Sequence, residues 1–230
     1  MRGRIWPALE EACYYPVDIL QKPGILPITR WTGKRRATAR LSVESHDYGT
    51  EDIQLPDIPQ AHPSPEDERR NAREQLGISK VWKRRERPAR FTLPLGAPAN
   101  PLPPPKTFGF TRLFNGKLAE QPHMGADYAI PMGTPILAVA DGTVVLAEDL
   151  FYPGNAIFID HGDGLVSMSF HLSEIDVKPG EEVRRGQKIG LAGATGRATG
   201  PHLFFAVRWH GARIDPEFLL GDPGRIPSVD

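Results

Sequence analysis

Alternation is the clearest pattern in the first sixty residues. Ala37, Ala39, Leu41 and Val43 interleave with Arg36, Thr38, Arg40 and Ser42, the period of two that marks a half-buried strand. Tyr14 to Leu20 reads as another short strand, stopped by the Lys22-Pro23-Gly24 turn. Three or four strands across residues 12–58 make a small sandwich-like segment at best, one that reads as truncated. After a Pro/His stretch at 59–63 comes Ser64-Pro65-Glu66-Asp67. A capping hydroxyl, a proline at the first helical position and an acid three residues past the cap predict a helix. It should run to about Arg85, with a break near Gly77. Pro94, Pro98, Pro101, Pro103, Pro104 and Pro105 then predict a stiff, extended connector.

From residue 106 onward the pattern is nearly all β. Apolar runs lie on both sides of Asp141-Gly142, a turn signal, between Thr134 and Val145. Asn155 to Asp160 and Leu165 to Phe170 read as a hairpin about His161-Gly162-Asp163-Gly164, and Leu203 to Trp209 as the last long strand. The fold class expected is mainly β. A small β-barrel or sandwich at 106–230 follows a β-rich accessory segment at 1–60 and a helix with a Pro-rich linker at 61–105. Ile136, Val139, Val144, Ile157, Ile159, Val166, Ile189, Leu203, Phe205 and Val207 are the expected core.

Composition narrows the class without naming it. The chain has 230 residues, 40% hydrophobic and 24% charged, the profile of an ordinary globular protein. No run of eighteen apolar residues occurs, which argues against a transmembrane helix. The single Cys13 excludes a disulfide framework within the chain and a multi-cysteine metal site. A net charge of zero gives no reason to expect a nucleic-acid or anionic-membrane partner. The charge is uneven: 17 Lys+Arg and 13 Asp+Glu in residues 1–97 against 11 and 15 in residues 98–230, so +4 and −4. Much of the excess is Lys83, Arg84, Arg85, Arg87 and Arg90, read as a solvated helix end. The start is basic, but Trp6-Pro7-Ala8-Leu9-Glu10-Glu11 interrupts the apolar stretch a signal peptide needs.

Chemistry concentrates in the second half, where five of the seven histidines fall. His123-Met124-Gly125-Ala126-Asp127 pairs an imidazole with a carboxylate, both competent zinc ligands; on a strand, even spacing sets both on one face, with Gly125 easing the backbone past a bound ion. His202 opens the last strand, where the period of two groups it with Phe204, Ala206 and Arg208. His171 ends the hairpin strand, on the side of Ser167 and Ser169. Further blocks are Gly133-Thr134-Pro135-Ile136, Ala140-Asp141-Gly142, Ile159-Asp160-His161-Gly162-Asp163-Gly164-Leu165 and His171-Leu172-Ser173. After them come Val177-Lys178-Pro179-Gly180, Arg185-Gly186-Gln187-Lys188-Ile189-Gly190, Gly193-Ala194-Thr195-Gly196 and Gly200-Pro201-His202-Leu203.

In that order the blocks resemble the lysostaphin-type, or LytM-type, zinc metallopeptidases, which cut peptide bridges of bacterial peptidoglycan. The resemblance covers roughly residues 107–220 and implies zinc as cofactor, held by His123, Asp127 and the residue at 204. It gives His171 and His202 the parts of proton shuttles and oxyanion stabilisers, beside a metal that activates water and polarises the scissile carbonyl. It implies peptidoglycan stem or cross-bridge peptides as partners, a cell-wall hydrolase as a further partner, and the cell envelope as location.

Two positions depart from the family. Residue 204 is Phe, with no lone pair to give, where a catalytic zinc keeps three protein ligands. Ser169 stands where the family commonly carries Tyr. His210 cannot substitute, lying six residues along the strand, about 20 Å away, and His161 belongs to a turn where the family often has His. The expectation is a retained fold with weakened or lost zinc-dependent hydrolysis, acting as a peptidoglycan-binding or regulatory module; the alternative is an active zinc metalloendopeptidase. A biotinyl or lipoyl carrier is a third reading, set aside because the turns at Asp141-Gly142 and Asp163-Gly164 carry no lysine.

Overall fold

In the computed structural model, which describes residues 8–9, 12–82, 88–105, 107–222, 224 and 226, the alternating run at 35–43 pairs with the segment before it. β1 (Gly24–Thr32) and β2 (Arg35–Val43) form a two-stranded antiparallel hairpin. Its half-buried face is narrow, with Ala39, Leu41 and Val43 partly covered while Ala37 is exposed. β3 (Thr50–Ile53) leaves that hairpin and pairs in parallel with β4 (Thr111–Phe114), which continues into β5 (Lys117–Leu118). The N-terminal segment is therefore not a sandwich. Tyr14 to Leu20 is not a strand either: it is held by Ile19 N–H donating to the Arg213 carbonyl and by the Asp18 carboxylate on the Arg213 guanidinium at 2.8 Å.

The helix starts where its cap predicts. α1 (Pro65–Val81) opens with Ser64 accepting from Asp67 N–H while Asp67 accepts from Ser64 N–H, a complete capping box. It runs unbroken through Gly77 and is capped at Trp82; Lys83, Arg84, Arg85 and Arg87 lie outside the described residues. The proline-rich stretch is not free of the body. Phe91, Leu95 and Ala99 are buried in the main core, and its backbone bonds Val139, Leu219, Leu137 and His161. Apolar side chains four residues apart and these backbone hydrogen bonds fix it to the sheet despite its prolines.

The remaining strands are β6 (Ala126–Tyr128), β7 (Pro135–Leu137), β8 (Gly142–Leu150), β9 (Gly154–Asp160), β10 (Leu165–Ile175), β11 (Glu182–Val183), β12 (Lys188–Ala192), β13 (Leu203–Trp209) and β14 (Ala212–Ile214). A short α2 (Glu217–Leu220) follows. The strands from β6 onward form a nine-stranded antiparallel sheet with path β11-β8-β9-β10-β12-β7, to which β13 adds through β10, β14 and β6. The mainly β expectation holds, but the sheet does not close into a barrel: β11 and β7 end its path. The turn at Asp141-Gly142 does not join a hairpin, since β7 pairs with β12 and β8 with β9 and β11.

Period two sorts the strands between two cores. Leu203, Phe205, Val207 and Trp209 enter the main core with Ile136, Val144, Ile157, Ile159 and Ile189. The opposite face carries Val166, Met168 and Ala206, and α1 covers it with Ile78 and Val81. Burial of this kind is worth about 25 cal/mol per Å² of apolar surface removed from water. An aromatic row crosses that second face: Trp82 to Phe158 at 6.1 Å, Phe158 to Phe170 at 5.4 Å, and Phe170 to Phe204 at 4.8 Å. At its other end, Phe170 and Phe204 line a groove, and the candidate site lies there.

Candidate metal and peptide site

Three short pieces of chain assemble the site. β6 pairs with β13 so that Asp127 stands opposite Phe204, and β10 pairs with β13 so that Phe170 stands opposite Phe204 on the other side. Phe204 thus sits between a carboxylate and a second phenyl ring, stacked on Phe170 with 3° between the planes. Its ring also meets His123 edge-on at 5.1 Å. The glycine between His123 and Asp127 lets β6 approach this ring and the β13 backbone: a Cβ on Gly125 would collide with Phe204 and with the Phe205 carbonyl.

His171 is not a strand end. β10 runs on to Ile175, and the pairing register shifts around His171, whose φ is +64°. A left-handed residue in a strand makes a bulge, and a bulge breaks the alternation that would keep His171 beside Ser167 and Ser169. It brings His171 to 4.7 Å from the His202 ring and 6.2 Å from Phe204. His171, His202, His123, Asp127 and Phe204 therefore line one groove of about 1380 Å³. Ser167 instead faces His161.

His123, His171 and His202 are each oriented through Nδ1. His171 Nδ1–H donates to the Thr195 carbonyl at 2.8 Å, His202 Nδ1–H to the Gly200 carbonyl at 2.8 Å, and His123 Nδ1–H to the Thr107 carbonyl at 3.0 Å. A carbonyl only accepts, so each of these Nδ1 atoms carries a proton and Nε2 is the nitrogen turned to the groove. Burial pushes the imidazoles of His123 and His171 down to about 4, so both are neutral near pH 7. Burial alone would raise the Asp127 carboxyl. The neighbouring positive charge and the Arg112 hydrogen bond outweigh it and hold the group below the usual carboxylate range.

Arg112 is the residue that sequence reasoning missed. Its Nη2 donates to Asp127 Oδ2 and, at 3.1 Å, to Thr107 Oγ1, and lies 3.3 Å from Glu51 Oε2 on β3. Thr107 Oγ1 in turn donates to Asp127 Oδ2 at 3.1 Å. Neither residue belongs to a run with a recognisable spacing, and the contact with Glu51 joins positions sixty residues apart; no local signal marks them.

A zinc ion needs donors as well as room. His123 Nε2 and Asp127 Oδ1 are both buried without a hydrogen-bond partner and lie 3.5 Å apart, close to the separation of two ligands on one tetrahedral zinc. The third corner is the Phe204 ring. His202 Nε2 stands 3.8 Å from Asp127 Oδ1, yet among the described residues no three His, Cys, Asp or Glu side chains are grouped to hold a metal ion. Two donors fit zinc and the set as a whole does not. His210, at the far end of β13, is 3.5 Å from Asp163 and takes no part.

Comparison with known proteins places this architecture. The model of peptidase family M23 matches residues 121–216. A solved structure described as a putative peptidase M23 from Pseudomonas aeruginosa is 36% identical, covers 89% of this chain and 77% of its own, and superposes with a TM-score of 0.69. The chain belongs to peptidase family M23. It is also similar to the peptidoglycan DD-endopeptidase ShyA of Vibrio cholerae, 46% identical over 94 residues that are 41% of this chain and 22% of that protein. The DD-carboxypeptidase/endopeptidase Mpg of Neisseria meningitidis is 43% identical over 94 residues, again 41% of this chain and 22% of that protein. The shared stretch is thus about a fifth of the length of these curated relatives.

Proposed function

We propose that this M23-family chain works in the bacterial cell envelope as a module that binds peptidoglycan stem or cross-bridge peptides, with zinc-dependent hydrolysis weakened or lost. The observation that carries the reading is Phe204. Its ring stacks flat on Phe170 and fills the corner where a third ligand would stand, while the groove around it keeps its histidines and its shape. The peptide substrate class comes from relatives named as peptidoglycan DD-endopeptidases. In this reading His171 and His202 serve as polar contacts for a bound peptide rather than as a proton relay. The envelope location rests on the same relatives; among the described residues no helix is long and apolar enough to cross a membrane.

The test is zinc content after equilibration with buffered micromolar zinc, run beside incubation with purified sacculi. The expected result is zinc well below one per chain and protein that sediments with sacculi without releasing muropeptides. One tightly held zinc per chain, with muropeptide release that a chelator stops, would overturn it. The active-peptidase reading has one observation in its favour, the 3.8 Å approach of His202 Nε2 to Asp127 Oδ1. Under that reading His202→Ala abolishes both the zinc and the release.

A further inference from the structure

Two guanidinium groups reach the M23 groove, and only one is neutralised. Arg112 is spent on Asp127 and Glu51. Arg197 lies over the Phe114 ring at 3.9 Å and over the Tyr152 ring at 4.6 Å. Among the described residues its side chain has no hydrogen bond and no ion pair. Rings satisfy the faces of a guanidinium but leave the in-plane N–H donors without acceptors. Burial, with the nearby Arg112 charge, pushes its pKa down from the ordinary arginine value, as expected for a partly covered cation with no counter-charge beside it.

The position is built rather than incidental. Arg197 N–H donates to the Tyr152 carbonyl at 2.9 Å. Just before it, Gly196, at φ +69°, lets the loop press against Gly154 and the Tyr152 carbonyl where any Cβ would clash. Thr195, two residues before Arg197, holds His171 through its carbonyl. One loop therefore sets both the histidine and the arginine of a single groove. A planar cation with its faces packed and its edge donors unmet matches a carboxylate, which takes two parallel N–H bonds.

We propose that Arg197 is a specificity-determining residue that binds a free carboxylate of the peptide lying in the groove, so that the chain selects stem peptides carrying an unamidated carboxyl group beside the segment held at His171 and His202. The inference rests on the peptide-binding reading above and adds the chemical feature that the peptide must have. Arg197 touches the ligand and performs no step.

The experiment compares two synthetic stem peptides that differ only in one carboxyl group, free acid against carboxamide, by calorimetric titration into wild-type chain and Arg197→Gln. A pair placing that group at each available carboxyl is used in turn. In wild-type chain, amidation of one particular carboxyl should weaken binding roughly 10- to 100-fold, the effect of losing a hydrogen bond to a charged group. In Arg197→Gln the two forms should bind alike, and Arg197→Lys should recover part of the preference. A merely structural arginine would lower both affinities together and leave their ratio unchanged, and that result overturns the inference. Wild-type chain that binds every acid and amide form equally also overturns it, while leaving the peptide-binding reading in place. Wild-type chain that binds neither form of any pair overturns both.

Discussion

His161 and His123 are both buried, both neutral, and both pushed down to about 4 by burial, yet the two sites are built to opposite ends. His161 is satisfied on both nitrogens: Nδ1–H donates to the Asp141 carbonyl and Nε2 accepts from Ser167 Oγ, each at 2.8 Å. Its ring closes the end of the β9–β10 hairpin and asks for nothing more. His123 is satisfied on Nδ1 only; Nε2 has no partner, and neither has Asp127 Oδ1 beside it. A buried polar atom without a partner costs about 1–3 kcal/mol, so a pair of them is tolerated where the fold is holding a place for something. A depressed pKa is common to both sites. What separates these two histidines is the unpaired atom beside Asp127.

The largest effect should come from removing the charge that steadies the unpaired site. Arg112→Met leaves Asp127 buried without its guanidinium, and stripping one partner from a buried ion pair costs about 3–5 kcal/mol. Chemical denaturation should show that loss. Lys188→Met, which breaks the more exposed pair with Asp176 at 3.0 Å, should cost under about 1 kcal/mol in the same assay. Equal losses would mean that Arg112 is only another surface cation and that the polar half of the comparison fails.

His161 sharpens the other half through pH. Its folded pKa of about 4 lies below the unfolded value near 6.5, so between these two values the unfolded chain binds the extra proton. Its contribution is fully present above about pH 6.5 and is lost as the pH falls towards 4, to a total of roughly 3 kcal/mol. Asp160, Asp141 and Arg90 are the charged neighbours, and the other buried histidines titrate in the same window. The share of His161 is therefore the difference between the stability–pH curves of wild-type chain and His161→Gln. The variant curve should be the flatter one; parallel curves would show that His161 is not buried as a neutral ring.

How much of this could be read from the sequence depends on the range over which a residue's partner lies. The capping box of α1 is legible because Ser64 and Asp67 are three residues apart, and the inward face of β13 because the period of two is local. The Phe204 departure is legible as well, since a missing donor is visible in one residue. The bulge at His171 is not, because a left-handed residue in the middle of an apolar strand leaves no pattern, and the alternation put His171 on the wrong side. Sheet closure was misjudged for a related reason: turn signals such as Asp141-Gly142 tell where the chain bends and not which strand it will meet. Arg112, Thr107 and Arg197 act through contacts between segments far apart in the chain, and only the folded sheet brings them together.

Phe204→His tests whether the unpaired atoms are waiting for zinc. The substitution supplies a third ligand, an imidazole, opposite Asp127 on the paired strand, and a direct ligand should matter more than the 10- to 100-fold effect of an outer-shell partner. Zinc affinity measured against a chromophoric chelator should rise by at least about 100-fold. The apo form should lose about 1 kcal/mol with the stacking on Phe170. An unchanged affinity would mean that the place is shaped for the phenyl ring itself.

Gly125→Ala probes the same corner from the backbone side, and its coupling to Phe204 should be the smallest of these effects. The new methyl meets the Phe204 ring and the Phe205 carbonyl, and overpacking of this kind costs about 1–3 kcal/mol. The ring is only part of the obstruction, because the carbonyl belongs to β13 and is held by its pairing with β6. In a Phe204→Ala background the ring is gone, so Gly125→Ala should cost less there than in wild-type chain. The thermal stabilities of the two single variants and the double variant give the coupling between the positions. A coupling of zero would place the clash wholly on the Phe205 carbonyl, and the glycine between His123 and Asp127 would then be kept for the close approach of β6 and β13 and not for the phenyl ring that stands in the ligand corner.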